Sequence, residues 1–188
     1  MSSQIKNSEL GYLGNPSVKR DGVESEFSKK EVLEYKKCME SPTYFARTYV
    51  KVISLDEGLV PFDLYPYQEK MFHHFTNNRF SIVLACRQSG KSISSVVYLL
   101  WYAIFHPEKN IAILANKGAT AREMLARITL ALENLPFFLQ PGCKALNKGS
   151  IEFSNNSKII AAATSGNSIR GLSINLLMLD EFAFVEND

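Results

Sequence analysis

The residues best suited to chemistry form a short glycine-containing segment in the middle of the chain, with a Gly-Lys-Ser triplet at its end. Between a buried strand and a helix, such a segment is typical of a phosphate-binding loop, whose backbone amides cradle phosphate oxygens. Lys91 would reach the β and γ phosphates, and the Ser92 hydroxyl would bind Mg²⁺. Because Ala85 replaces the leading glycine of the full motif, a lysine on an exposed helix start is the alternative. The candidate nucleotide-binding residues are Arg87, Gln88, Ser89, Gly90, Lys91 and Ser92.

Two adjacent carboxylates, Asp180 and Glu181, follow the apolar run 176–179. A buried strand that ends in acidic residues places them at the carboxyl edge of a parallel sheet, where ligands of open α/β folds bind. Asp180 would hold Mg²⁺, and Glu181 would polarise the attacking water as a general base. An acidic pair that simply ends a strand is the alternative, but the Gly-Lys-Ser triplet earlier in the chain favours the catalytic interpretation.

Three further polar residues are candidates for the same site. The amide of Gln68 offers the donor and the acceptor that suit the adenine edge, although a glutamine at a surface helix start fits equally well. Arg87 could neutralise charge that develops on the γ phosphate. Arg170 could act on a neighbouring subunit, or it could be a surface arginine in a turn.

The elements that position these residues follow from hydrophobic periodicity and turn signals. Helices are predicted over 28–40, from Ser41-Pro42 onward, and over 66–76, 92–105 and 120–135. Buried strands are predicted over 80–85, 111–114 and 174–179, with a hairpin of 151–153 and 159–163. Strands that alternate with helices predict an α/β fold with a parallel sheet.

The chain divides into three predicted parts: a loose, flexible N-terminal arm over 1–27, a small helical subdomain over 28–60, and an α/β core over 61–188. The arm is polar and contains several breakers. A capping box, Ser28-x-x-Glu31, opens the helical part.

Composition excludes several classes of protein. Hydrophobic residues make up 46% of the 188 and charged residues 21%, which excludes wholesale disorder. The 21 basic residues against 19 acidic ones exclude a polycation, so nucleic-acid binding would need a local patch. The longest apolar run, 96–105, is too short to span a membrane, and the N-terminus has no secretory signal. Three distant cysteines favour a reducing, intracellular compartment.

Several motifs, in order, resemble the N-terminal ATPase region of the large terminase subunit, the DNA-packaging motor of tailed bacteriophages, in the branch found in large contractile-tailed phages. The resemblance covers about 28–185, and an arginine in a phosphate loop without the leading glycine is typical of that family. The matching pieces are FSKKEVLEYKKCMESPTYFARTYV, Tyr67-Gln68, the loop 87–92, ILANKGATAREML, LPFFLQPG, NKGSIEF, SIRG at 168–171 and LMLDEFAF.

The resemblance implies a P-loop NTPase of the additional-strand, RecA-like type that uses ATP and Mg²⁺. It implies a homo-oligomeric ring, usually a pentamer, that docks on the portal protein of a procapsid in the host cytoplasm and is absent from the mature virion. Double-stranded DNA and the small terminase subunit are the other implied partners, and no membrane is involved. By residue match, Gln68 contacts adenine, Arg87 is the loop arginine, Asp180 holds the metal, Glu181 is the catalytic carboxylate and Arg170 acts in trans.

In this ATPase class the strand after the acidic strand inserts between it and the phosphate-loop strand. The sequence reaches only a few residues beyond Glu181. We therefore expect a sheet truncated after the acidic (Walker B) strand, without the later strands or a nuclease domain. The isolated chain is then a weak or inactive ATPase. Two alternatives stay open: a superfamily 2 helicase-like ATPase, and a nucleotide-binding fragment that does not hydrolyse ATP.

Overall fold

A short hairpin of β1 (Gly11–Tyr12) and β2 (Asn15–Lys19) opens the computed structural model, which describes residues 11–54, 56–164 and 169–181. The sequence predicts a loose arm over this region, but residues 11–21 pack onto the body of the protein. Val18 is fully buried, and the Asp21 amide donates to the Cys143 carbonyl at 3.2 Å. One buried apolar side chain and hydrogen bonds to distant residues fix this segment, and neither produces a periodic sequence signal.

Two helices follow, α1 (Lys29–Glu40) and α2 (Pro42–Tyr49). The predicted capping box is confirmed, because the Ser28 hydroxyl accepts from the Glu31 amide and the Glu31 carboxylate accepts from the Ser28 amide. The Ser41 hydroxyl caps α2 by accepting from the Tyr44 amide. Both helix starts are therefore determined locally by the sequence.

A second hairpin of β3 (Lys51–Ser54) and β4 (Gly58–Pro61) ends the segment 28–60, which the sequence predicts to be a helical subdomain. Helix α3 (Pro66–Asn77) comes next, with proline at its first position as predicted. Ile53 and Leu59 are exposed, so the apolar residues of this hairpin do not all face the core. The alternation of apolar and polar residues that marks a half-buried strand is therefore weak here.

The main body is a five-stranded sheet flanked by two long helices. These elements are α4 (Lys91–Phe105), β5 (Asn110–Ala115), α5 (Gly118–Glu133), β6 (Cys143–Leu146), β7 (Ser150–Phe153), β8 (Lys158–Ala163) and β9 (Leu176–Asp180). The strand order is β6-β7-β8-β5-β9. Strand β5 pairs in parallel with β8 and β9, whereas β6-β7 and β7-β8 are antiparallel.

The sheet is therefore mixed, and the prediction of a parallel sheet is corrected. Short connections at 147–149 and 154–157 join β6 to β7 and β7 to β8. A parallel pair needs a crossover of a dozen residues or more, so these turns permit only antiparallel pairing. The parallel part is confined to the three strands that carry the sheet toward the acidic pair.

One hydrophobic core joins the helical part to the sheet. The predicted helix over 120–135 is confirmed as α5, whose buried face includes Met124, Leu125, Ile128 and Leu132. The Trp101 indole N–H on α4 donates to the Cys38 carbonyl at 2.8 Å. No helix within the described ranges is long and apolar enough to cross a membrane.

The segment 80–85 differs most from its prediction. The sequence predicts a buried strand, yet these residues belong to no strand of the structure, and Phe80, Ile82 and Leu84 are 83%, 90% and 94% exposed. Strand β9 likewise has β5 as its only partner among the described strands, with Leu177 and Leu179 partly exposed. An apolar run is buried only when neighbouring strands cover it. The described residues supply no strand beside 80–85.

Candidate functional site

The phosphate-loop candidate is a tight turn that leads into α4. Gln88 and Gly90 both adopt positive φ, at 59° and 80°, and Gly90 is the residue that caps α4. The loop closes on one carbonyl, because Cys86 O accepts from the Ser89 hydroxyl at 2.9 Å and from the Lys91 ammonium at 3.3 Å. The first amides of α4 have no partner within the helix, as at any helix N-terminus. The turn thus presents backbone donors and one lysine to the same region.

Gln68 supports this loop from α3. Its side chain is 2% exposed; Oε1 accepts from the Tyr65 amide at 2.8 Å, and Nε2 donates to the Gly90 carbonyl at 3.4 Å. A Cβ on Gly90 would lie 2.7 Å from Gln68 Nε2, so the close approach requires glycine. Gln68 therefore joins α3 to the loop, and one amide hydrogen is left over. Contact between Gln68 and adenine stays a prediction.

Asp180 ends β9 as the sequence predicts, opposite Ala115 at the carboxyl end of β5. Burial raises the pKa of Asp180 above its ordinary value, and the neighbouring Glu181 carboxylate raises it further. The Lys91 ammonium, the Glu181 amide and the Arg127 guanidinium pull that pKa downward without cancelling the rise. The charge of Lys91 reaches Asp180 because the loop lies near the edge of the sheet at which β9 ends.

Glu181 is exposed and holds a positive φ of 51°, an uncommon backbone conformation for a residue other than glycine. The chain therefore turns sharply directly after Asp180. This turn separates the direction of the Glu181 side chain from that of the strand. The two carboxylates consequently have different environments, one half-buried and one exposed.

The two predicted arginines are exposed, and neither forms an ion pair within the described residues. Arg87 lies in the loop itself. Arg170 lies on the connection from β8 to β9. That connection runs from one edge of the sheet, where the Thr164 amide bonds Ala115 O, to the other, where the Asn175 amide bonds Asn110 O. The Ser168 end of the quoted SIRG motif lies outside the described residues.

Sequence reasoning missed Arg127 on α5. Its guanidinium bonds the Glu123 carboxylate at 2.6 Å and also lowers the pKa of Asp180. An arginine four residues after a glutamate on an exposed helix face ordinarily indicates a surface ion pair, so the sequence carries no signal for a role near the site. It enters the site only because α5 folds back along the sheet.

These residues fit a magnesium-bound nucleoside triphosphate. Mg²⁺ prefers oxygen ligands, and the Ser92 hydroxyl and the Asp180 carboxylate are oxygen donors. The positive φ of Gly90 and its crowding against Gln68 shape a loop that a side chain at position 90 would fill. Lys91 supplies the cation that phosphate oxygens require.

Comparison with solved structures finds the same fold in the crystal structure of the HK97 bacteriophage large terminase, with a TM-score of 0.65 and 19% sequence identity. The match covers 80% of this chain and 33% of that one, so the chain spans about a third of the length of the HK97 protein. A family model described as terminase large subunit, T4likevirus-type, N-terminal, matches residues 82–188, more than half of the chain. The phosphate loop and the acidic strand both fall within this match, and the chain belongs to the large terminase subunit family as its N-terminal region.

Proposed function

We propose that this chain is the ATP-binding and ATP-hydrolysing part of a viral DNA-packaging motor that couples hydrolysis to translocation of double-stranded DNA into a procapsid. The observation that carries the proposal is that the loop lysine, Lys91, lies close enough to Asp180, at the carboxyl end of β9, for its charge to lower the pKa of that carboxyl group. Family membership supports the packaging role. A phosphate-loop lysine beside a strand-terminal aspartate is the minimal arrangement for binding a magnesium nucleotide.

Each residue has a definite role in this proposal. Lys91 would exchange its bond with Cys86 O for bonds to phosphate oxygens, and Ser92 and Asp180 would hold Mg²⁺, which would offset phosphate charge. Because Glu181 is exposed beyond the end of the strand, its carboxylate is free to orient a water as general base.

The loop and the β8–β9 connection supply the remaining candidates. Arg87 would offset charge on the γ phosphate within one subunit, and Arg170 would do so on a neighbouring one. The backbone amides of Gln88, Ser89 and Gly90 would cradle phosphate oxygens, and Gln68 would hold the loop and contact adenine.

We further propose the partners that such a motor requires: a homo-oligomeric ring, with a pentamer expected, the phage portal protein, the small terminase subunit and double-stranded DNA. Assembly on the procapsid would place the protein in the host cytoplasm. The exposed segment 80–85 supports the expectation that this chain alone hydrolyses ATP weakly or not at all, because that segment leads directly into the phosphate loop.

Calorimetric titration of the 188-residue chain with Mg-ATP tests the nucleotide site. We expect binding in the micromolar to millimolar range that Lys91→Ala abolishes. Lys158→Ala is the matched control. Lys158 lies opposite Asn110 at the amino ends of β8 and β5, whereas Asp180 lies at the carboxyl end of β9. Equal binding by wild type and Lys91→Ala would overturn the proposal.

A second measurement separates hydrolysis from binding. Glu181→Gln should bind Mg-ATP like the wild type and lose whatever turnover the wild type shows, because only the general base is removed. Identical turnover in wild type and Glu181→Gln would favour the alternative of a nucleotide-binding fragment that does not hydrolyse ATP.

A further inference from the structure

A pocket of about 550 Å³ lies away from the phosphate loop, between the segment 19–27, helix α1 and the body of the protein. We call it the strap pocket. It includes Ser154 and Asn155 of the β7–β8 turn, which precedes β8, whereas Asp180 lies where β9 ends. The strap pocket is therefore at the opposite edge of the sheet from the proposed nucleotide site. Its volume is in the range of pockets that hold small ligands or a few side chains.

Lys19 is the unusual residue of this pocket. It is 7% exposed, and no hydrogen bond or ion pair reaches its ammonium from any residue in the described ranges. Burial lowers the pKa of Lys19, with no carboxylate compensating. The described residues contain no fully buried side-chain nitrogen or oxygen without a partner, so the ammonium is not sealed in the core. Because Lys19 lines the strap pocket, the pocket is where its charge is available.

A buried hydrogen-bond network holds Lys19 in place. The Lys19 amide donates to Gln140 Oε1 at 2.9 Å. The same glutamine's Nε2 lies 2.9 Å from Ser17 O, 3.0 Å from Leu132 O and 2.7 Å from Leu135 O. Gln140 is 3% exposed, so this network lies inside the core. The backbone of Lys19 is therefore fixed before any ligand arrives, so the lysine side chain starts from a defined position beside the pocket.

The remainder of the pocket combines apolar side chains with a second lysine. Phe27, Val32 and Met39 line it and are 45%, 43% and 43% exposed. Lys36, one turn before Met39 on α1, also lines it. Apolar side chains around a cation complement a ligand that carries a carboxylate between apolar groups.

We propose that the strap pocket binds a segment of a partner protein that presents one acidic side chain, Asp or Glu, flanked by apolar side chains. The carboxylate would pair with Lys19, and the apolar side chains would cover Phe27, Val32 and Met39. Nucleic acid fits less well, because surfaces that bind a phosphate backbone are strongly basic and this pocket has two lysines among apolar residues. This binding site does not depend on the proposed ATPase activity.

Selection from a random heptapeptide display library tests the proposal on the 188-residue chain. Enriched peptides should carry Asp or Glu between apolar residues, and synthetic versions should bind Lys19→Met about tenfold or more weakly than the wild type. Lys29→Met is the matched control, since Lys29 is exposed at the start of α1, the helix that carries Lys36 and Met39, and does not line the pocket. It should bind like the wild type.

Two further readouts keep the test decisive. Lys19→Met removes a poorly solvated charge, so its melting temperature should be equal to or above that of the wild type. Met39→Gln, an exposed change on the rim, should also weaken the peptides without unfolding the chain. Enrichment without acidic residues, no enrichment, or equal binding to Lys19→Met would overturn the proposal. If the chain binds a 20-base-pair DNA duplex and Lys19→Met abolishes that binding, the ligand of the pocket is nucleic acid and the peptide proposal is overturned.

Discussion

Two apolar runs of similar composition, FSIVLA at 80–85 and NIAILA at 110–115, have opposite environments in this protein. The second run is β5, which pairs on one side with β8 and on the other with β9, and Ile111, Ala112 and Ile113 are fully buried. The first run has no strand partner among the described residues, and Ile82 is 90% exposed. Both runs are apolar enough to be buried, but only the run that has neighbouring strands is buried.

This difference places the exposed apolar side chains of the described sheet region on one side. The strands from β6 to β5 are covered, while β9 and the segment 80–85 each expose apolar side chains. Both exposed elements lead into the proposed nucleotide site, at Asp180 and at the phosphate loop.

The largest expected effect comes from truncating one isoleucine in each run. Ile113→Ala should lower the free energy of unfolding by about 2–5 kcal/mol, because it opens a cavity beside buried neighbours. Ile82→Ala should change it by less than about 0.5 kcal/mol, as for other exposed side chains. Denaturant unfolding of the two variants measures both. Equal losses would show that Ile82 is buried in solution and would remove the contrast between the two runs.

Two glycines with similar backbone conformations test whether the phosphate loop needs a glycine at position 90. Gly90 and Gly14 have nearly equal φ, 80° and 82°, so alanine at either position should cost about 1–2 kcal/mol of stability. Only at Gly90 would the new Cβ crowd a neighbour, Gln68 Nε2 at 2.7 Å, whereas at Gly14 no atom lies within 4 Å among the described residues. Gly90→Ala should therefore weaken Mg-ATP binding measured by calorimetry, and Gly14→Ala should not. Equal affinities of Gly90→Ala and Gly14→Ala for Mg-ATP would show that Gly90 does not shape the nucleotide site.

The smallest expected effect concerns Glu34, in the covered helical part. Its carboxylate accepts from the Tyr44 and Tyr49 hydroxyls at 2.7 and 2.9 Å and pairs with Lys37 at 2.8 Å. Bonding to Lys37, then to the two tyrosines, lowers the pKa of Glu34 to about 2 from 4.5. Because the folded pKa is the lower one, the stabilisation is full above pH 4.5 and is lost as pH falls toward 2.

Thermal unfolding across pH tests this expectation with Glu34→Gln. The variant should melt below the wild type at pH 7, and the gap should narrow between pH 4.5 and 2, where the native carboxylate becomes protonated. Tyr44→Phe, which removes one donor, should show a smaller gap that narrows in the same direction. A gap that stays constant down to pH 2.5 would mean that Glu34 makes no pH-dependent contribution.

Local signals in the sequence predict most of the helices and the two halves of the site. Ser28 and Glu31 define the start of α1, and the apolar face from Met124 to Leu132 defines α5. The Gly-Lys-Ser triplet and the Asp-Glu pair could be found because motif chemistry is local. The charge of Lys91 lowers the pKa of Asp180 because the fold brings the two residues near each other. The sequence shows only two motifs far apart in the chain.

The features that the sequence does not reveal depend on distant contacts. The hairpin of β1 and β2 packs through Val18 and through the network of Gln140, more than a hundred residues away. Arg127 lies near Asp180 only because of how α5 folds back. Segment 80–85 has the pattern of a buried strand, and its exposure follows from the absence of a covering strand among the described residues, which periodicity cannot report.

Hydrogen exchange by mass spectrometry, with and without Mg-ATP, tests the central claim most directly, which is that the phosphate-loop side is open and binds nucleotide. We expect amides at 81–85 to exchange nearly unprotected while those at 111–115 are strongly protected, since only the latter are bonded in the sheet. Mg-ATP should protect amides at 87–92 in the wild type and leave them unchanged in Lys91→Ala. Equal protection of both apolar runs, or no response at 87–92, would contradict the account.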